Sequence, residues 1–167
     1  ASRQGNLFHA WVERTLSPIG LANTEDDEPI ELDDEDNYYS VEELQEKFAR
    51  SRFAKLQPKH LELEIQISIG SNTFICKMDA VYQDGDKILI VDWKTNEPPK
   101  DETDTYRRSL QLALYRFAYA KYAQIPIEEV DAVFFFVGAE LEMGPDHLLD
   151  EKEILTEWQK VLDQLVE

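Results

Sequence analysis

Cysteine is almost missing from this chain, and other common signals are missing with it. Cys76 is the single cysteine among 167 residues, so no disulfide closes within the chain and no four-cysteine iron–sulfur cluster can be assembled from it. That usage fits a reducing compartment. No apolar run approaches the roughly 18 to 20 residues of a membrane span. The opening residues lack the basic-then-apolar pattern of a secretory signal. The expectation is a cytoplasmic protein without membrane contact. No G-x-x-x-x-G-K-[ST] stretch occurs, so this piece carries no P-loop nucleotide site. Basic residues are scarce as well: 17 Lys and Arg stand against 35 Asp and Glu, a net charge of −18. Phosphate neutralisation supplies most non-specific affinity for nucleic acid, so this sign of charge works against autonomous nucleic-acid binding. Part of the surplus is local. Nine acids fall between Glu25 and Asp36, and about 21–38 reads as a solvated, flexible loop.

What remains is an ordinary globular composition, 43% hydrophobic and 11% aromatic, long enough for a single domain over 1–167 with a substantial core. Its organising stretch is Ile88-Leu89-Ile90-Val91-Asp92-Trp93-Lys94. Four aliphatic residues after Asp84-Gly85 predict a buried strand. At its far end Asp92 and Lys94, two apart, leave the strand on one face, and Trp93 points to the other face to pack. A lone D-x-K is ordinarily an exposed ion pair. Here the preceding run, Thr73 to Tyr82, is a second strand, and Asp84-Gly85 between two apolar runs predicts a hairpin. That pairing places Asp79 beside Asp92. Two neighbouring carboxylates repel unless a cation lies between them, and oxygen ligands suit Mg²⁺ or Mn²⁺.

Other elements follow from periodicity. Leu7 to Leu16 reads as a helix with Asn6 as N-cap and His9 one residue round from the stripe of Phe8, Val12 and Leu16. Glu13, one turn on, is placed to steady His9. Ser40-Val41-Glu42-Glu43 is a capping box opening a helix through about Leu56. The basic residues Lys47, Arg50, Arg52, Lys55 and Lys59 read as a solvated face, with a phosphate track as the rarer role. Leu61 to Ile69 alternates, with Leu61, Leu63, Ile65, Ile67 and Ile69 on one face and Glu62 and Glu64 on the other. A helix from about Thr105 to Tyr122 follows Pro98-Pro99 and carries Gln111 and Tyr115 on one face. Val130 to Val137, with Phe134-Phe135-Phe136, is a core strand, and a last helix spans about Asp150 to Val166.

"GNLFHAWVE" with His9, "KMDAVY" with Asp79, "VDWKTN" with Asp92 and Lys94, and "QLALYR" with Gln111 and Tyr115 resemble, in order and spacing, the RecB-like branch of the PD-(D/E)xK nucleases. The resemblance runs from Gly5 to about Tyr122. It departs at Cys76 and Lys77, where many relatives have a glycine. It implies an α/β, restriction-endonuclease-like core: a mixed central sheet of about four strands flanked by helices. It further implies one or two Mg²⁺ or Mn²⁺ ions held by His9, Asp79, Asp92 and the Trp93 carbonyl. Lys94 would act on the attacking water or the developing charge, Gln111 would hold Lys94 or that water, and Tyr115 and Arg108 would bind the substrate. The implied activity is hydrolysis of single-stranded DNA, exonucleolytic in character, in repair or recombination. Such domains form the C-terminal part of UvrD-type helicases and of AddA- or AdnA-like helicase–nucleases, so the implied partner is an ATP-dependent motor. The competing reading is a catalytically silent nuclease-like fold serving as a protein-interaction module.

Overall fold

The computed structural model describes residues 3–16, 39–145 and 147–166, with side chains from Leu7 onward in the first segment, 13–15 excepted, and to residue 164 in the last. The acidic loop expected at about 21–38 and the Glu13 side chain lie outside the described residues. Helix α1 spans Arg3–Leu16 and α2 Val41–Arg50; strands β1 His60–Ile69, β2 Asn72–Asp84 and β3 Lys87–Lys94 follow. Helix α3 spans Glu102–Ala123, β4 Val130–Phe136, β5 Leu141–Met143 and α4 Glu151–Val166. The five strands lie in the order β1-β2-β3-β4-β5. Only β3 and β4 are parallel; every other neighbouring pair is antiparallel. This is the expected mixed sheet, with one more strand than expected.

Local chemistry accounts for the elements. Gly85, at φ 62, closes the β2–β3 hairpin in the left-handed conformation that Asp-Gly favours. The Ser40 side chain accepts from Glu43 N, the first half of the capping box, and the Asp101 side chain accepts from Asp104 N to start α3. Two boundaries correct the sequence expectations. Asn6 lies inside α1 rather than capping it. Helix α2 ends at Arg50, because Ser51 turns extended (φ −76, ψ 159) and a short 3₁₀ turn, Arg52–Ala54, carries the chain on so that Phe53 is fully buried.

The sheet separates two cores. Under α3 and α4 lie Ile65, Ile67, Ile69, Cys76, Met78, Ile88, Ile90, Phe134 and Phe136. Under α1 and α2 lie Ala80, Tyr82, Leu89, Val91, Trp93, Phe135 and Val137 with Phe8, Phe48 and Phe53. The Trp93 ring meets Phe48 at 5.1 Å and Phe53 at 5.4 Å between centroids, edge to face, the packing role expected of it. The expected unbroken alternation of β1 is corrected: Leu63 packs with the α3-side core, but Leu61 packs with the α1-side core. Glu62 between them is left-handed at φ 51, which turns the strand over. Met78 and Ala80 on β2 likewise face opposite cores, so the neighbouring strand switches faces at Asp79. No described helix is long and apolar enough to cross a membrane.

Candidate active site

Strands β2 and β3 pair from Asp84↔Lys87 to Ala80↔Val91, and there the pairing ends. Beyond it β2 continues along β1, and β3 continues along β4 through Asp92↔Phe134, Trp93↔Phe135 and Lys94↔Phe136. The strands fork, and Asp79 and Asp92 are the first residues past the fork. The Trp93 N–H donates to Asp79 Oδ2 at 2.7 Å, so a side chain satisfies a backbone group that the opened ladder leaves unpaired.

Helix α1 brings His9 onto this fork. Its Nδ1 lies 3.1 Å from Asp79 Oδ1, and it also hydrogen-bonds the Trp93 backbone. The imidazole therefore spans two of the groups expected around a metal, Asp79 and the Trp93 carbonyl. Burial lowers the His9 pKa, but its bond to Asp79 more than offsets this, and the net shift is upward. The Asp79 and Asp92 carboxyls act directly on each other. Burial, then the Asp79 carboxylate, drives the Asp92 carboxyl well above the usual range, with Lys94 opposing only in part. Burial also works against a charged Asp79, yet Asp92, His9 and the Trp93 N–H hold it below the usual range.

Lys94 Nζ stands 3.1 Å from Asp92 Oδ2 and 5.3 Å from the Phe134 ring centroid. Asp92 Oδ2 is nevertheless buried without a directed hydrogen bond. A buried carboxylate oxygen in that state, beside a second carboxylate and an imidazole, suits a hard divalent cation. The residues present therefore fit Mg²⁺ or Mn²⁺.

Strand β1 adds a group that the sequence reading assigned to the solvent face. Glu62 stands opposite Asp79, between the pairs Leu61↔Ala80 and Leu63↔Met78. Its side chain is 17% exposed, 3.1 Å from Lys77 Nζ, and its carboxylate lies within 4.8 Å of the ligand atoms of both His9 and Asp79. Glu64, two residues further along this strand, is exposed. The register would have pointed to Glu62, because a hairpin turning at Gly70-Ser71 sets it against Asp79; the alternating pattern concealed it.

On α3, Gln111 Nε2 donates to Tyr115 OH at 2.9 Å. Burial, then the nearby Asp92 carboxyl, raises the Tyr115 pKa, which keeps its hydroxyl neutral beside the site. Arg108 is not drawn into the cluster. It pairs with Asp104 at 3.2 Å and lies 5.6 Å from the Phe136 ring centroid, one strand end away. The basic residues of α2 and of the chain just after it are mostly engaged too. Lys47 donates to the Gly138 carbonyl (2.6 Å), Arg50 pairs with Glu140 (3.1 Å) and Arg52 with Glu142 (2.7 Å), tying α2 to the β4–β5 turn; Lys55 and Lys59 are exposed.

A family model described as the PD-(D/E)XK nuclease superfamily matches residues 1–167. Comparison with curated proteins gives no match. Among solved structures the chain is similar to one titled "Crystal structure of SSO0001", at 16% identity and a TM-score of 0.38, over 63% of this chain and 50% of that one. The chain thus spans about half the length of that structure.

Proposed function

The chain belongs to the PD-(D/E)XK nuclease superfamily, and from that premise we propose that it is a metal-dependent deoxyribonuclease of the RecB-like branch, hydrolysing phosphodiesters of single-stranded DNA. The observation that supports this most is the fork itself: His9, Asp79, Asp92 and Lys94, scattered over 86 positions of sequence, converge where β2 leaves β3. In this reading His9, Asp79, Asp92 and the Trp93 carbonyl hold Mg²⁺ or Mn²⁺. The bound cation supplies an acidified water and a polarised phosphate oxygen. Lys94, held against Asp92, presents its ammonium to the water or to the charge growing on the phosphate. Tyr115, kept neutral, and Gln111, bonded to it, form the α3 wall of the substrate path, and Arg108 contributes a phosphate contact at its rim.

The same proposal covers context. With a net charge of −18 and its Lys47, Arg50 and Arg52 engaged internally, the domain depends on DNA delivered by another module. We assign that module to an ATP-dependent helicase motor, of which this chain is the detached nuclease end, working exonucleolytically in DNA repair or recombination in the cytoplasm. The test is cleavage of end-labelled single-stranded DNA with Mn²⁺ or Mg²⁺, beside Asp79→Ala. Metal-dependent cutting lost in the variant supports the reading. Absence of both cutting and metal binding hands the fold to the silent interaction module.

A further inference from the structure

We propose that Glu62 is a further protein ligand of the metal centre, delivered by the left-handed turn of β1, with Lys77 holding its carboxylate in place before the ion arrives. The inference rests on the nuclease reading and deepens it. Glu62 occupies the one position of β1 directly across from Asp79. An unkinked strand would send its side chain away from the site, as it does for Glu64. The positive φ instead puts the carboxylate within ligand reach of His9 and Asp79. A glutamate has no steric ease in that conformation, so the surrounding structure must hold it there.

A second observation lies on β3. The Asp92 Oδ2 atom, on a side chain 8% exposed, is buried at the fork without a directed hydrogen bond, with the Lys94 ammonium 3.1 Å away. The groups around Asp79 come from three directions: the imidazole from α1, the Asp92 carboxyl from β3 and the Glu62 carboxylate from β1. Lys77 Nζ at 3.1 Å neutralises Glu62 in the metal-free arrangement and aims its carboxylate. A divalent ion carries twice that charge and competes for the same oxygens. Hard cations of this kind take six or more oxygen and nitrogen ligands, so three protein side chains and a carbonyl leave room for a fourth side chain alongside water.

The test is calorimetric titration of Mn²⁺ into the metal-free protein, comparing wild type with Glu62→Gln, Glu64→Gln and Asp79→Asn. Glu62→Gln and Glu64→Gln each remove one negative charge from the same strand, so a long-range field would weaken both alike. A ligand role weakens Glu62→Gln by about tenfold or more and leaves Glu64→Gln within about twofold. Equal affinities for wild type and Glu62→Gln, or equal losses in the two glutamine variants, overturn the inference while Asp79→Asn still reports the nuclease site. If wild type binds no Mn²⁺, the nuclease reading fails and takes this inference with it. Melting curves accompany each titration. Should Glu62→Gln lose its transition, Glu62→Asn, whose residue type accepts positive φ, takes its place in the same comparison.

Discussion

The two ends of the β2–β3 hairpin obey opposite rules. From the turn at Gly85 to Ala80↔Val91 the strands are fully paired, and Val81, Ile90 and Val91 have no exposed surface. One residue further the pairing stops, and the same strands present Asp79, Asp92 and Lys94, two of them buried acids. The paired end spends its sequence on backbone bonds and apolar burial, the main source of stability. The forked end buries two neighbouring carboxyls, one of them pushed well above the usual range, and leaves an oxygen without a directed bond, arrangements that cost stability and are retained where chemistry needs them. Stability and function thus occupy adjacent halves of a single pair of strands.

Substitutions can break that comparison from either side. The largest effect belongs to Lys94→Ala, which should lower single-strand cleavage by about a thousandfold or more while Mn²⁺ affinity stays within a few-fold, read by gel assay and calorimetry. Loss of metal binding instead would reassign the lysine. Ile90→Ala at the paired end should do the reverse. It deletes a fully buried side chain and should cost about 2 to 5 kcal/mol in denaturant unfolding, with Mn²⁺ affinity of the folded protein unchanged.

Most of the paired end was legible in the sequence, because it is made of local patterns: an aliphatic run, an Asp-Gly turn and alternating burial. The Phe134-Phe135-Phe136 run was legible for the same reason, and its three rings divide between the two cores as a strand requires. The fork was legible only through its residue types, Asp79, Asp92 and Lys94 in the expected order. Its opening depends on β1 and β2 both switching faces, and a positive φ at a glutamate leaves no compositional trace. The engagement of Arg50 with Glu140 and Arg52 with Glu142 joins residues 90 positions apart, beyond the reach of any local pattern. Strand β5, with two exposed residues of its three, carries no hydrophobic signal to find.

Smaller effects sharpen the contrast. Asp92→Asn should stabilise the metal-free protein, because asparagine needs no proton to sit beside Asp79. The folded Asp92 pKa is raised, so stability present below the unfolded value is lost as pH rises through the folded value. The gain from asparagine should therefore grow from pH 5 to pH 8, reaching about 1 kcal/mol or a few degrees in melting midpoint. A gain that shrinks with pH would contradict the upward shift of the Asp92 carboxyl. The smallest effect concerns Cys76, on β2 beyond the fork but facing the α3-side core. Burial pushes its thiol up to about 11, so alkylation of the native protein at pH 8 should be slow and should accelerate sharply in denaturant. Fast native labelling would show that this arm of β2 opens with the fork.

The central claim, that the forked end is built for a cation rather than for the fold, is tested most directly by melting Asp79→Asn beside wild type, each with and without Mn²⁺. The isosteric amide keeps an oxygen for the Trp93 N–H. The account predicts that Mn²⁺ raises the midpoint of wild type and leaves that of the variant unchanged. A wild type indifferent to Mn²⁺, or a variant that Mn²⁺ stabilises as much as wild type, would contradict the claim.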